Sequence, residues 1–451
     1  WETGFWQPLR IGITDKLDYL KDLGVTILYL NPIFDSISNH KYDTADYHKI
    51  APEFGNYELF TELCREANKR GIRIILDGVF NHTGDDSIYF NKYGSYPDVG
   101  AYQSENSPYH SWYQFTNWPN EYDSWWGIKS MPNLEETSEE LQDFLYKQKN
   151  SVVKRWLRAG ASGWRLDVAD ELPDSFIQGL KKSVIEEKPD AILIGEVWED
   201  ASRKEAYGKL REYFQGHELD SVMNYPFRDC FIAFLLGQIN SKQANRLMMS
   251  LKENYPKDNF MSNMNLIGSH DRTRIMTVLG EADQSMTVME KENFRLRPEN
   301  REIAVKRLKL ASLIQMTFPG VPTVYYADEA GAEGFEDPYN RGTYPWGDED
   351  KELIDWYKQI IAIRNSNLAL KRGDWIPYDS SDDLLVYERR IDGKRLLVLI
   401  NRNQNNPASF SLKDAGAHHF PDLLTGKKES GAPVTVEPLG AKVLNISSLK
   451  N

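Results

Sequence analysis

Two rhythms of apolar and polar positions alternate along the chain. Over residues 14–23 (TDKLDYLKDL) apolar side chains recur at helical spacing and stop at Gly24, a natural helix end. The next stretch, 25–30 (VTILYL), is continuously apolar, as a strand buried on both faces is. The same pairing returns with a helix predicted over 57–70, ending at Gly71, before the strand 72–80 (IRIILDGVF). It returns again with a long helix over 141–159 before 163–168 (GWRLDV), and a helix over 176–187 before 191–197 (AILIGEV). Shorter strands are predicted at 221–224, 264–269 and 321–326, and a further helix over 353–367. Apolar strands alternating with helices predict a parallel sheet covered on both sides, here seven strands of a (β/α)8 TIM barrel. Residues 1–10 hold no strand-like run, so the first barrel strand is expected before residue 1.

Two segments break the rhythm. Residues 82–134 are rich in Tyr, Trp, Pro, Asn and Ser (YHSWYQFTNW, YDSWWG) and too long for an ordinary connection. They predict a small inserted domain over the barrel mouth, after the third strand. From about residue 371 the pattern turns to short alternating strands (LLVYERR, RLLVLINR, VTVEPL, AKVLNI), which predict a C-terminal all-β sandwich. The expected domains are therefore a catalytic barrel over 1–81 and 135–370, the insertion over 82–134, and the sandwich over 371–451.

Composition narrows the function. A net charge of −13 argues against nucleic acid, whose phosphates need clustered Lys and Arg. No apolar run approaches the roughly 20 residues of a membrane-spanning helix. The two cysteines, Cys64 and Cys230, lie far apart with no metal-binding spacing and read as reduced, packed thiols. Aromatic residues make up 12% of the chain, which suits both a packed core and a site where sugar rings stack.

Candidate chemistry gathers where barrel enzymes carry it, at the C-terminal ends of strands. Asp77, Asp167 and Glu196 fall at the ends of successive strands, and Asp271 follows another in IGSHD. Two carboxyl groups are what glycoside cleavage needs: one attacks the anomeric carbon, the other protonates the leaving oxygen and later deprotonates water. Arg165 precedes Asp167 by two residues, so both side chains share a face, and the guanidinium is expected to keep Asp167 ionised. Glu196 sits between AILIG and Val197–Trp198, a half-buried setting that suits a proton donor. His270 and Asp271 are placed to hydrogen-bond sugar hydroxyls.

These residues carry a resemblance. DGVFNH (77–82), GWRLDVADE (163–171), GEVW (195–198) and IGSHD (267–271) look like the four short conserved regions of the α-amylase superfamily, glycoside hydrolase family 13, in the right order. The resemblance implies Asp167 as nucleophile, Glu196 as acid/base and Asp271 as transition-state stabiliser. It implies that Tyr42, Asp77, His82, Arg165 and His270 hold the sugar at the cleavage subsite, with Trp198 and Glu171 toward the acceptor side. Asp337 and Arg341, in DPYNR, are implied to hold the next sugar on the non-reducing side. LNPIF, SNHKYDTADY and MPNLE are similar to the neopullulanase, cyclomaltodextrinase and amylopullulanase group, which implies α-1,4 and α-1,6 glucosidic bonds in pullulan, starch, maltooligosaccharides or cyclodextrins. VADE, EVWED and Ala327 depart from that group's usual pattern near acceptor subsites and leave linkage preference open.

The same resemblance implies no obligatory cofactor. Calcium is a candidate through Asn81, the weak metal-ligand match. The expected partner is an α-glucan, with no nucleic acid, for a monomer or a homodimer; a secreted and a cytoplasmic location both stay open. Two other readings compete with hydrolysis: a transglycosylase or isomerase that hands the glucosyl group to another sugar, and a non-catalytic glucan-binding protein.

Overall fold

The computed structural model describes residues 12–412, 419–430 and 433–448, and the chain folds as two compact units, Trp1–Val222 and Met223–Asn451. The segment 1–10, expected to hold no strand, lies outside the described residues.

In the first unit, helix α1 (Leu17–Leu23) ends at Gly24, whose φ of +96° is a left-handed cap that a side chain would resist. Strand β1 (Ile27–Leu30) follows, then helix α2 (Tyr57–Lys69). The Asn56 side chain caps α2 by accepting from Leu59 N at 2.9 Å, and Phe60, Leu63, Cys64 and Ala67 form its buried stripe. Each such aliphatic or aromatic side chain contributes roughly 1.5–3 kcal/mol on burial. Strands β2 (Arg73–Gly78), β3 (Gly163–Leu166), β4 (Ile192–Gly195) and β5 (Ser221–Val222) complete a five-stranded parallel sheet in the order β1-β2-β3-β4-β5. The register runs Leu30 with Leu76, Asp77 with Arg165, Leu166 with Gly195 and Gly195 with Val222. The strands are shorter than their apolar runs, because Asp167 and Glu196 lie just past the ends of β3 and β4.

One predicted element is corrected. The helix expected over 141–159 is broken into Glu139–Gln142, a π-turn at Asp143–Lys147 and helix α3 (Val152–Arg158). Gln148 leaves helical geometry at ψ 155° while its N–H still donates to Asp143 O at 3.1 Å. Asn150 and Ser151, which favour helix starts over helix interiors, occupy the gap. Helix α4 (Asp174–Glu187) connects β3 to β4.

Residues 82–134 hold little regular structure: a short antiparallel pair (Phe115–Asn117 with Glu121–Tyr122) and single helical turns. Aromatic packing holds the segment together, with Phe90 4.8 Å from both Tyr113 and Tyr122. Its backbone returns to the sheet domain where Leu134 N donates to Asn81 O at 2.8 Å.

In the second unit, β6 (Met264–Leu266) pairs in parallel with β7 (Val321–Thr323), among helices α5 (Tyr225–Leu235), α6 (Ser241–Asn254), α7 (Pro298–Thr317) and α8 (Lys351–Ser366). An antiparallel sheet of β8 (Asp374–Tyr378), β9 (Leu384–Ile391), β10 (Lys394–Asn401) and Ala441–Asn445 follows. Its central hairpin turns on Asp392–Gly393, both at positive φ, a turn whose twist matches the flanking strands. Leu384, Val386, Leu397 and Leu399 meet Val434 and Val436 of a second, two-stranded pair in one buried core.

Candidate active site

Three adjacent strands of the first unit deliver three acids and one cation to the same end of the sheet. Arg165, in β3, is almost fully buried. Its Nη1 donates to both Asp77 oxygens (2.8 and 3.0 Å) and to Asp167 Oδ1 (2.7 Å), and its Nη2 pairs with Glu196 Oε1 at 2.9 Å. Asp77 also accepts from the Tyr29 hydroxyl at 2.6 Å and the Tyr42 hydroxyl at 3.1 Å. Glu196 accepts from Val168 N at 2.9 Å and from Trp198 Nε1 at 3.1 Å. Val168 holds φ +40°, an outlier for a β-branched residue, and this turn is what aims its N–H at Glu196.

The sequence led us to expect Arg165 to keep Asp167 ionised; in the structure the guanidinium is shared among Asp77, Asp167 and Glu196. Burial pushes the Asp167 carboxyl well above the usual carboxylate range, and the like charges of Glu196 and Asp77 add to that push while Arg165 opposes it. Asp77 is raised as well, by burial first. Burial and the neighbouring like charges thus oppose ionisation of Asp167, and the single Arg165 guanidinium favours it. Such a cluster can present one carboxylate as nucleophile and one carboxylic acid as proton donor within reach of a single group.

Around this centre, His82 is buried and its Nδ1 meets Asn81 Oδ1 at 3.3 Å; burial pulls the imidazole down to about 4, so it is neutral. The Asn81 Nδ2 donates to Glu136 Oε1 at 3.1 Å. Asn81 thus spans two protein partners with its amide. Among the described residues no group of three or more His, Cys, Asp or Glu side chains is arranged to hold a metal ion. Glu171 accepts from Trp126 Nε1 at 3.3 Å and from the Tyr207 hydroxyl. His40 serves its own loop: its Nδ1 accepts from Tyr42 N at 3.1 Å. The thiols of Cys64 and Cys230 are buried and free, and burial pushes both up to about 12.

The second unit gathers its own sequence-predicted set. His270 Nε2 lies 3.2 Å from Asp271 Oδ2, and Arg341 Nε donates to His270 O at 3.3 Å while pairing with Asp337 Oδ1 at 3.2 Å. Asn340 Nδ2 donates to His270 O at 2.7 Å, which fixes the loop that carries these residues.

Tyr29 and Val168 escaped the sequence reading. A tyrosine inside the aliphatic run VTILYL was the available signal, since a buried phenol needs an acceptor. Nothing in the sequence marks the left-handed turn at Val168.

Parallel β/α architecture with acids clustered at the C-terminal strand ends is the arrangement of the enzyme barrels. The chain belongs to the alpha-amylase family: residues 9–352 match the family described as alpha amylase, catalytic domain, a (β/α)8 barrel. It is 40% identical to an amylopullulanase of Thermoanaerobacterium saccharolyticum over 99% of this chain, and spans 37% of that relative's length. It is 36% identical to a cyclomaltodextrinase of Geobacillus thermopakistaniensis over 94% of this chain and 67% of that one. The solved type III pullulan hydrolase of Thermococcus kodakarensis superposes with a TM-score of 0.82 at 30% identity, over 97% of this chain and 71% of the other.

Proposed function

We propose that the protein is a retaining α-glucan hydrolase that cleaves α-1,4 and α-1,6 glucosidic bonds in pullulan, starch, maltooligosaccharides or cyclodextrins. The observation that carries the reading is the convergence of Asp77, Asp167 and Glu196 on Arg165 at the C-terminal end of the parallel sheet. Membership of a family whose relatives here are named as glucan-cleaving enzymes supports it.

In this reading Asp167 attacks the anomeric carbon of the bound glucosyl unit. Glu196 gives its proton to the departing glycosidic oxygen, and the C1–O bond breaks as the ester to Asp167 forms. Glu196, now a carboxylate, takes a proton from water, and that water displaces Asp167 with a second inversion. Both acids contact one guanidinium, which supports their acting on a single sugar; retention requires their carboxyl groups to stand about 5–5.5 Å apart. Arg165 and Asp77 hold the two acids and the sugar of the cleavage subsite, with Tyr42 and His82 beside them. Trp198 and Glu171 face the acceptor side. Asp271 stabilises the transition state, and His270, Asp337 and Arg341 bind sugar hydroxyls; these four assignments rest on the motifs of the sequence. The domain division 1–81 with 135–370, 82–134 and 371–451, the last a β-sandwich, belongs to the same proposal, as does activity without a bound metal.

The test is chromatography of products released from pullulan by the wild type and by Asp167→Asn. The wild type releases panose if it cuts α-1,4 bonds and maltotriose if it cuts α-1,6 bonds. Asp167→Asn loses release by about 10⁴-fold or more, as removal of a covalent nucleophile does. Near-normal turnover in that variant would overturn the assignment.

A further inference from the structure

A cavity of about 480 Å³ in the first unit shares no residue with the carboxyl cluster. It is lined by His48, Tyr57, Asn150, Arg155 and Arg158. His48 comes from the short strand Asp46–Ile50, Tyr57 from the first turn of α2, and the two arginines from α3. Asn150 lies in the gap where the helix expected over 141–159 is broken. The volume is of the size that small-molecule sites have.

Two buried nitrogens of these lining side chains, His48 Nδ1 and Arg155 Nε, have no hydrogen-bond partner among the described residues. Buried polar groups are nearly always paired, so two orphans at one cavity point to a missing partner. Arg155 also forms no ion pair among the described residues. Its Cζ lies 4.6 Å from the Tyr57 ring centre, so the ring supports the guanidinium from one face and leaves its N–H edge for another group. Arg158 is engaged instead: it pairs with Glu187 at 3.2 Å and donates to Lys149 O and Lys154 O. Asp46 is engaged too, accepting from His48 N at 2.8 Å. Burial holds the His48 imidazole below its usual value against the pull of Asp46, so the ring is neutral at neutral pH and one nitrogen carries a hydrogen. The cavity therefore offers a supported cation without its anion. A neutral sugar would leave that charge uncompensated, whereas an oxyanion supplies acceptors to both orphan nitrogens.

We propose that this cavity binds a tetrahedral oxyanion, inorganic phosphate or the phosphate of a small phosphomonoester, through Arg155 and His48. The anion accepts from the Arg155 fork seated on Tyr57 and from the His48 Nδ1 hydrogen, and the Asn150 amide is a further donor. Arginine suits this task because its planar N–H groups match two oxygens of one phosphate. An occupant tethers the strand Asp46–Ile50 and the start of α2 to the break before α3. None of these residues takes part in the proposed cleavage, so the site stands independently of the α-glucan reading.

The experiment is a calorimetric titration of the full chain with sodium phosphate, and in parallel with glucose 1-phosphate, at an ionic strength fixed by sodium chloride. Thermal melts in phosphate and in chloride accompany it. The expected result is saturable binding at about millimolar concentration or below, with a melting temperature higher in phosphate than in chloride. Arg155→Met keeps an apolar stem over Tyr57 and removes the charge; it should weaken phosphate binding about tenfold or more, and His48→Phe about threefold. Tighter binding of glucose 1-phosphate than of phosphate assigns the site to a phosphomonoester, and equal or weaker binding assigns it to the free anion. No saturable binding of either below about 10 mM overturns the proposal, as does an equal rise in melting temperature with chloride. Undiminished affinity in Arg155→Met overturns it too; where that variant does not fold, as its melt in chloride shows, undiminished affinity in His48→Phe decides in its place.

Discussion

Glu136→Gln isolates a single buried proton. The Glu136 carboxyl accepts from Asn81 Nδ2 at 3.1 Å, and burial pushes it from 4.5 up to about 8, so at neutral pH it is held as the acid. The sign follows from linkage: a carboxyl whose folded value is raised favours the folded state below its unfolded value. That stability is lost as pH rises toward the folded value. Each pH unit between the two values costs about 1.4 kcal/mol, so the full swing is about 4–5 kcal/mol. From about pH 5.5 to about pH 9 the change comes to about 3 kcal/mol, since part of the loss is complete at the lower pH. Glutamine has the same shape, cannot ionise, and keeps an oxygen for Asn81. The assay is guanidinium denaturation of the wild type and Glu136→Gln across that range. The difference between the two curves should grow by about 3 kcal/mol with rising pH, the variant being the more stable at the alkaline end. Parallel curves would refute the reasoning, because they would mean that Glu136 titrates alike in the folded and unfolded chain.

Tyr29→Phe removes the 2.6 Å hydrogen bond to Asp77 and keeps the ring; loss of a bond to a charged group costs about 1.5–3 kcal/mol. Asp77 then rises further, which loosens its hold on Arg165, and kcat/KM on maltooligosaccharides should fall more at low pH than at high pH. Gly163→Ala places a Cβ 2.3 Å from Ile192 O between β3 and β4; a thermal melt should show a loss of about 1–3 kcal/mol, with activity falling as Asp167 and Glu196 move apart. Dialysis against EDTA should leave the melting temperature and pullulan hydrolysis unchanged, since Asn81 already bridges Glu136 and His82. A drop restored by calcium would show that a metal binds after all.

Much of this molecule was readable from residues alone because its strands are buried on both faces. Runs such as VTILYL and AILIG are too apolar for an exposed strand and too short for a buried helix, and glycines such as Gly24 mark where helices stop. The acids at the strand ends were readable for the same reason: a charge that interrupts an apolar run is tolerated only where the strand meets the surface or a site. What escaped depends on three-dimensional proximity. The break near Gln148 arises from a π-turn that no apolar period encodes. The role of Glu136 depends on depth, which a residue in the polar stretch LEETS does not advertise. The clamp on Glu171 needs Trp126 and Tyr207, separated by 81 positions (207 minus 126), to reach one carboxylate.

The charge pattern around Arg165 sets the conditions under which the proposed reaction would start. Four buried charged groups would carry a net charge of −2 if every acid were ionised, so burial disfavours full ionisation of the cluster. Tyr29 and Tyr42 both donate to Asp77 Oδ2, so Asp77 is held by two hydroxyls besides Arg165, which also bridges Asp167 and Glu196. The two tyrosines are therefore positioning residues for the carboxyl pair, and their hydroxyls, more than their rings, carry that task. Double substitution to phenylalanine should lower kcat more than the product of the single effects, because either hydroxyl alone still anchors Asp77. Strictly multiplicative losses in kcat would show that the two hydroxyls act independently and that Asp77 needs no shared anchor.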